Sequence, residues 1–211
     1  MPVVKLEKIN SNAYWCLWEI SETLDQLERN TILSEHGLTE LNKITHATRK
    51  MESLASRRCL QEIFKEMGKS YQGIYKDIHN KPHLVNNDYH ISISHSYPYA
   101  VGILHKKLPV GIDIEKPIEK LRKVAPRFLQ PAEFIDAEDE LKKLCVYWTG
   151  KEAIFKLNGR RTMNFKENIK IHPFVLRKRD VIRSEMYVTG TSVKIALNYR
   201  EIDGHFISFC F

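Results

Sequence analysis

Apolar positions recur along this chain with two different periods, and the changes of period mark out its elements. Between residues 12 and 20 the run Ala13, Tyr14, Trp15, Cys16, Leu17, Trp18 and Ile20 is short, aromatic-rich and almost unbroken, which predicts a core strand. Leu24, Leu27, Ile32, Leu33, Leu38, Leu41 and Ile44 suit short helices, with turns expected at Asn30 and Gly37. Met51, Leu54, Ala55, Cys59, Ile63 and Met67 then return at steps of three or four. They predict a long helix over residues 48–67, stopped by Gly68.

Residues 71–84 read as strand and loop, ending in Asn80, Lys81, Pro82 and His83. Over residues 89–94, Ile91 and Ile93 alternate with His90, Ser92 and Ser94, the period of a half-buried strand that ends before His95. Strands over 99–104 and 110–114 are joined by a turn at Lys106 and Lys107. Pro117 opens a helix-prone region up to Pro126, a new helix starts at Arg127, and helix-type residues continue to Leu157. Strand-like pieces follow over 169–176, 181–188, 193–197 and 205–211, with turns at Gly190 and at Asp203 and Gly204, so the C-terminal part is expected to be mainly antiparallel sheet. A weak boundary falls between Leu104 and Val110, and no short-period repeat is present.

With 211 residues, 43% of them hydrophobic, the chain can build one large domain or two small lobes with a real core. No apolar run reaches the roughly 20 residues of a membrane span and no signal-type start is present, so a cytoplasmic protein without a membrane partner is expected. Cys16, Cys59, Cys145 and Cys210 lie far apart in apolar surroundings and read as buried thiols. The net charge of +7 points to an anionic partner, whether nucleic acid, an acidic protein or a phosphorylated small molecule.

Candidate chemistry centres on Gly111, Ile112, Asp113, Ile114 and Glu115. On a strand Asp113 and Glu115 share one face, with Ile112 and Ile114 on the other. Two adjacent carboxylates either hold a cation or lie solvated on an exposed edge, and an oxygen-only donor set suits magnesium. On the helix over 141–156, Leu141, Leu144, Cys145, Trp148, Glu152, Phe155 and Lys156 share one broad face, which turns Glu152 and Lys156 inward. The alternative is a surface pair worth roughly 0.2–0.5 kcal/mol. Arg49, Lys50, Arg57 and Arg58 form either a solvated basic face or a phosphate-holding cluster. Lys81 is held extended by Pro82, and His95 stands between Ser94 and Ser96 at a strand end.

Asp113, Ile114 and Glu115, followed by Trp148, Thr149, Gly150, Lys151, Glu152, Ala153 and Lys156, resemble the signature of the 4'-phosphopantetheinyl transferase superfamily. Lys81 with Pro82, then Ser94, His95 and Ser96, then Arg127, Phe128 and Glu133 fall in that family's order. The length resembles the Sfp-like, single-chain type. The resemblance implies an α+β fold of two similar, pseudo-twofold lobes, here 1–107 and 108–211, each a mainly antiparallel sheet packed by a long helix, with the active site between them. It also implies a monomer that moves 4'-phosphopantetheine from coenzyme A to a serine of an acidic apo carrier protein, acyl or peptidyl, and does not act on nucleic acid. Adenosine 3',5'-bisphosphate is then the by-product.

By the same resemblance Asp113, Glu115 and Glu152 hold magnesium, Lys156 steadies the phosphates during transfer, and His95 meets the pyrophosphate. Lys81, Pro82, Ser94 and Lys151 belong to the coenzyme A site. Arg49 and Arg57 meet the 3'-phosphate, with Arg58 the nearest competitor. The base that takes the serine proton is Glu152, directly or through a metal-bound water, and Glu133 matches another acidic position of the family's catalytic set, with no fixed role. Asn80 departs from the family's usual glycine and His83 from its usual aromatic residue, while Gly150 is expected to loosen the helix by about 1 kcal/mol relative to alanine. Two other readings stand beside this one: a metal-dependent nuclease or phosphodiesterase, and a non-catalytic nucleotide-binding module.

Overall fold

The computed structural model describes residues 2–159 and 163–211. Its internal contacts divide the chain into two units, Met1–Val110 and Gly111–Phe211. The architecture is α+β, with antiparallel sheets and helices in each unit. Among the described residues no helix is long and apolar enough to cross a membrane.

The first unit contains β1 (Val3–Lys8), β2 (Ala13–Glu19), α1 (Leu24–Asn30), α2 (Glu35–Asn42), α3 (Ala47–Glu66), β3 (Ile74–Lys76), β4 (Pro82–Leu84), β5 (His90–Ser96) and β6 (Tyr99–His105). Four strands form an antiparallel sheet in the order β1-β2-β6-β5, and β3 pairs with β4 in a separate hairpin. The helix α3 packs on β6, β2 and β5, burying Leu54, Ala55, Cys59, Leu60 and Ile63 against Cys16, Trp18, Ala100 and Leu104. It ends at Met67, where Gly68 takes φ +65. The edge strand β1 escapes the reading of the sequence because its half-exposed side chains give no clean alternation. Gly37, expected in a turn, lies inside α2, where the Ser34 hydroxyl caps its N–H at 3.0 Å. His95, expected after the strand, lies within β5.

The second unit runs through β7 (Gly111–Glu115), α4 (Lys120–Phe128), α5 (Pro131–Ala137), α6 (Leu141–Asn158), α7 (Phe165–Asn168), β8 (Ile169–Ile171), β9 (Arg179–Val188), β10 (Thr191–Ile202) and β11 (His205–Cys210). The strands form one antiparallel sheet in the order β7-β11-β10-β9-β8. The strand expected over 169–176 stops at Ile171, close to Pro173, which has no N–H for a ladder. Helix α4 instead continues through Pro126 to Phe128, although Pro126 has no N–H to donate to the carbonyl of Arg122.

Helix α6 lies on β7, β11, β8 and β10 and also touches α4. It is therefore buried on more than the single stripe expected. Val146, Tyr147, Thr149, Gly150, Lys151, Ala153 and Ile154 are buried, whereas Trp148, Glu152, Phe155 and Lys156 are only half-buried. Contact with β7 is closest at Gly111, where an added Cβ would fall 1.8 Å from the Ala153 carbonyl oxygen and 2.7 Å from the Leu157 nitrogen. Strand alternation turns Asp113 and Glu115 to the same helix-facing side. Gly150 does not loosen α6; it admits the tips of Leu197 and Ile171, which an added Cβ would meet at 2.6 and 2.8 Å.

These two glycines should respond differently to alanine. Gly111→Ala opposes helix backbone and should cost about 3 kcal/mol or more, whereas Gly150→Ala meets movable side-chain ends, gains helix propensity, and should cost about 1 kcal/mol or less. Urea denaturation of the full chain measures both; equal losses would refute this account of the α6–β7 contact.

Candidate functional site

The acid centre of the second unit follows from that close contact. Asp113 on β7 is 3% exposed, and Lys156, in the last turn of α6, donates from Nζ to Asp113 Oδ1 at 2.6 Å. Glu152 lies one helical turn before Lys156, and Glu115 lies two residues beyond Asp113 on the same strand face. Burial, followed by the charge of Asp113, pushes the Glu115 carboxyl up to about 7; Glu152 pushes the same way, while Lys156 and a hydrogen bond from the Trp148 indole oppose it. Burial and Asp113 raise Glu152 to about 7 as well, against Lys156.

Among the described residues three carboxylates thus lie around the Lys156 ammonium group. An all-oxygen, negatively charged and half-buried donor set has the chemistry to take a hard divalent cation such as magnesium. Among the described residues no group of three or more histidine, cysteine, aspartate or glutamate side chains stands placed to hold a metal ion as the side chains lie. Lys156 supplies the positive charge at Asp113. A cavity of about 630 Å³ begins at Glu115, with Phe128, Trp148 and Phe165 on its apolar wall and Lys120 and Arg127 also lining it.

Glu133 and Lys151, expected at the catalytic and coenzyme A sites, form a buried ion pair of their own. Lys151 is 0% exposed and Glu133 1%. Lys151 Nζ donates to Glu133 Oε2 at 2.7 Å, to the Ile169 carbonyl at 2.8 Å and to the Phe165 carbonyl at 3.1 Å. Glu133 accepts further bonds from the Gln130 N–H at 2.7 Å and the Ile171 N–H at 2.8 Å. Burial lowers the Lys151 pKa while Glu133 opposes the shift. Each charge satisfies the other, and together they tie α5, α6, α7 and β8.

The first unit carries the expected cationic residues. Arg49 is exposed on α3, whereas Arg57 is only 3% exposed. Arg57 Nη1 donates to the Ser53 carbonyl at 2.8 Å and the Ser53 hydroxyl at 2.7 Å. Among the described residues its buried Nε and the buried Tyr71 hydroxyl have no hydrogen-bond partner. Burial lowers the Arg57 pKa, and the charges of Tyr71 and Glu40 oppose that shift. Lys76 is lowered by burial and then by Arg57. Arg58 is otherwise engaged, with Glu62 at 3.0 Å, the Asn30 carbonyl at 2.6 Å and the Trp18 ring at 4.9 Å. Of these two arginines, Arg57 has the buried donor still to be satisfied.

Lys81 and Pro82 stand at the β3–β4 turn, where the Asp77 carboxylate accepts the His79 N–H at 2.8 Å and the Lys81 N–H at 3.0 Å and meets His83 Nε2 at 3.0 Å. The His83 bond is the chief reason Asp77 is pushed down to about 2. Burial lowers the Lys81 pKa. Asn80 adopts φ 60, a left-handed conformation that asparagine tolerates better than most residues, so it can replace glycine there. His83 stacks on Tyr75 with ring centroids 5.4 Å apart, an aromatic role in place of the usual aromatic residue. Ser94 is half-buried on β5, and His95 Nδ1 lies 3.4 Å from Glu52 Oε2. Glu52, Tyr71 and Lys76 were not singled out from the sequence. Nothing in their local pattern separates them from packing residues.

Residues 109–210, nearly the whole second unit, match the family model described as ACPS, 4'-phosphopantetheinyl transferase superfamily. No curated protein matches the chain.

Two outcomes test this geometry. Lys151→Met strands a buried carboxylate and should cost about 3–5 kcal/mol in urea denaturation, with Glu133→Gln restoring part of the loss. An unchanged stability with a raised KM would instead put Lys151 at the substrate. A raised carboxyl pKa means that the stability contributed by Glu152 is present below its unfolded value and lost as pH rises through about 7. Without divalent ions, Glu152→Gln should therefore stabilise the fold at pH 8 by about 1–2 kcal/mol, with a smaller gain at pH 5.5. Thermal melts at both values measure the difference, and destabilisation at pH 8 would refute it.

Proposed function

We propose that this chain, which belongs to the 4'-phosphopantetheinyl transferase superfamily through residues 109–210, moves 4'-phosphopantetheine from coenzyme A to a serine hydroxyl of an acidic apo carrier protein. The observation that carries this reading is the acid centre: Asp113 bound to Lys156, with Glu115 and Glu152 both raised to about 7. Such a centre is short of positive charge and suits a magnesium ion together with a substrate that brings its own phosphates. Asp113, Glu115 and Glu152 would hold the ion, which when bound supplies neutralising charge for a pyrophosphate.

The serine oxygen forms a bond to the β-phosphorus of coenzyme A, and the bond from that phosphorus to the oxygen of the leaving adenosine 3',5'-bisphosphate breaks. The serine proton passes to Glu152, a carboxylate beside the reacting phosphate. Lys156 carries positive charge to the phosphate oxygens as the leaving group departs. In the first unit, Arg57 and Arg49 take the 3'-phosphate, His95 meets the pyrophosphate, and Lys81, Pro82 and Ser94 form part of the coenzyme A site. The unpartnered, buried Arg57 Nε supports an anion there. The net charge of +7 would steer an acidic carrier toward the protein, more weakly as salt rises. We read the chain as the Sfp-like, single-chain type, a cytoplasmic monomer.

Intact-mass analysis of a panel of apo carriers incubated with the protein, magnesium and coenzyme A tests the reaction. One phosphopantetheine should be added to an acceptor, and Glu152→Gln should slow the addition at least about 100-fold. Hydrolysis of coenzyme A without carrier modification would instead favour the phosphodiesterase reading. Binding without either reaction would favour a nucleotide-binding module.

A further inference from the structure

We infer that Glu52 is a positioning residue for His95, aiming the imidazole at the phosphates of coenzyme A; this rests on the reading of His95 given above. Glu52 sits in the second turn of α3, only 9% exposed. Among the described residues it forms no ion pair with lysine or arginine. One carboxylate oxygen, Oε1, accepts the Tyr97 N–H at 3.0 Å, and the other, Oε2, lies 3.4 Å from His95 Nδ1. A single carboxylate therefore holds both the last residues of β5 and the turn that follows.

A nearly buried carboxylate is costly to desolvate unless polar groups surround it, and the Tyr97 N–H and the nearby His95 ring are its compensation. The pairing also constrains the ring. With Nδ1 directed at Glu52, the anion contact assigned to His95 falls to Nε2. A ring nitrogen that donates suits a pyrophosphate oxygen. The next residue along α3, Ser53, acts in the same way on Arg57, since its hydroxyl and carbonyl accept from Nη1. Consecutive helix residues thus orient two cationic side chains of the first unit. Nothing in the sequence marks Glu52, because it stands in a helix interior outside every motif.

The test compares coenzyme A binding by calorimetry in the full-length wild type, Glu52→Gln, His95→Ala and the double variant. The ¹⁵N signals of the His95 ring are compared in wild type and Glu52→Gln. Glutamine keeps an acceptor for the Tyr97 N–H. Glu52→Asp, which keeps the charge but withdraws it by one methylene, provides a second variant expected to fall between wild type and Glu52→Gln. Glu52→Gln should weaken binding about 10-fold and shift the His95 ring signals, His95→Ala should weaken it at least as much, and the double variant should be no worse than His95→Ala. Additive losses in the double variant overturn the proposal, as does wild-type affinity with unchanged His95 signals in Glu52→Gln and Glu52→Asp. Unchanged affinity in His95→Ala overturns both this proposal and the assignment of His95 to the pyrophosphate. The transferase reading is then judged separately by the carrier-mass assay.

Discussion

The chemistry of the second unit depends on a helix backbone lying directly against a strand. Gly111 has no side chain, and α6 occupies the space that a Cβ would need. That approach sets Lys156 against Asp113 and brings Glu152 alongside two strand carboxylates. It also removes enough water to raise the pKa values of Glu115 and Glu152. Among the described residues the three carboxylates outnumber the ammonium group beside them, so packing elsewhere has to hold their geometry.

The imposing structure surrounds α6. Cys145, Ala153 and Ile154 pack among Ile169, Ile171, Leu197 and Phe206, and Gly150 lets the Leu197 and Ile171 tips close in. The Glu133–Lys151 pair closes this scaffold from within, since its donors and acceptors reach four elements. A charged pair in a motif can therefore belong to the support and not to the chemistry. Lys151 and Glu152 are adjacent in sequence, yet a turn of about 100° per residue sends one into the core and leaves the other at the acid centre.

In the first unit α3 has a comparable organising part. Its apolar side chains cover the sheet, while Glu52, Ser53 and Arg57 occupy positions where polar atoms are buried or nearly so. Buried polar groups are retained where partners are available, and Glu52 and Ser53 have such partners in the turn after β5 and in Arg57. The Arg57 Nε lacks one, a feature that a bound phosphate would remove.

Local pattern was enough to place the long helices, the strands of both sheets other than the edge strand β1, and the turns at Gly68, Gly190 and Gly204, because periodicity and left-handed backbone preferences act within a few residues. It also identified Asp113, Glu115, Glu152 and Lys156 as candidates, since strand and helix geometry determine which neighbours share a face. Pattern could not distinguish Lys151 at a site from Lys151 in a core, or Arg57 from Arg58, because burial depends on what distant segments bring. Glu133 is 18 residues from Lys151 in sequence, and Tyr97 is 45 from Glu52. The sequence by itself determined the elements and the inventory of charges. Only the tertiary structure decided which charges neutralise one another, because desolvation and pairing are properties of contacts between elements rather than of the chain's local order.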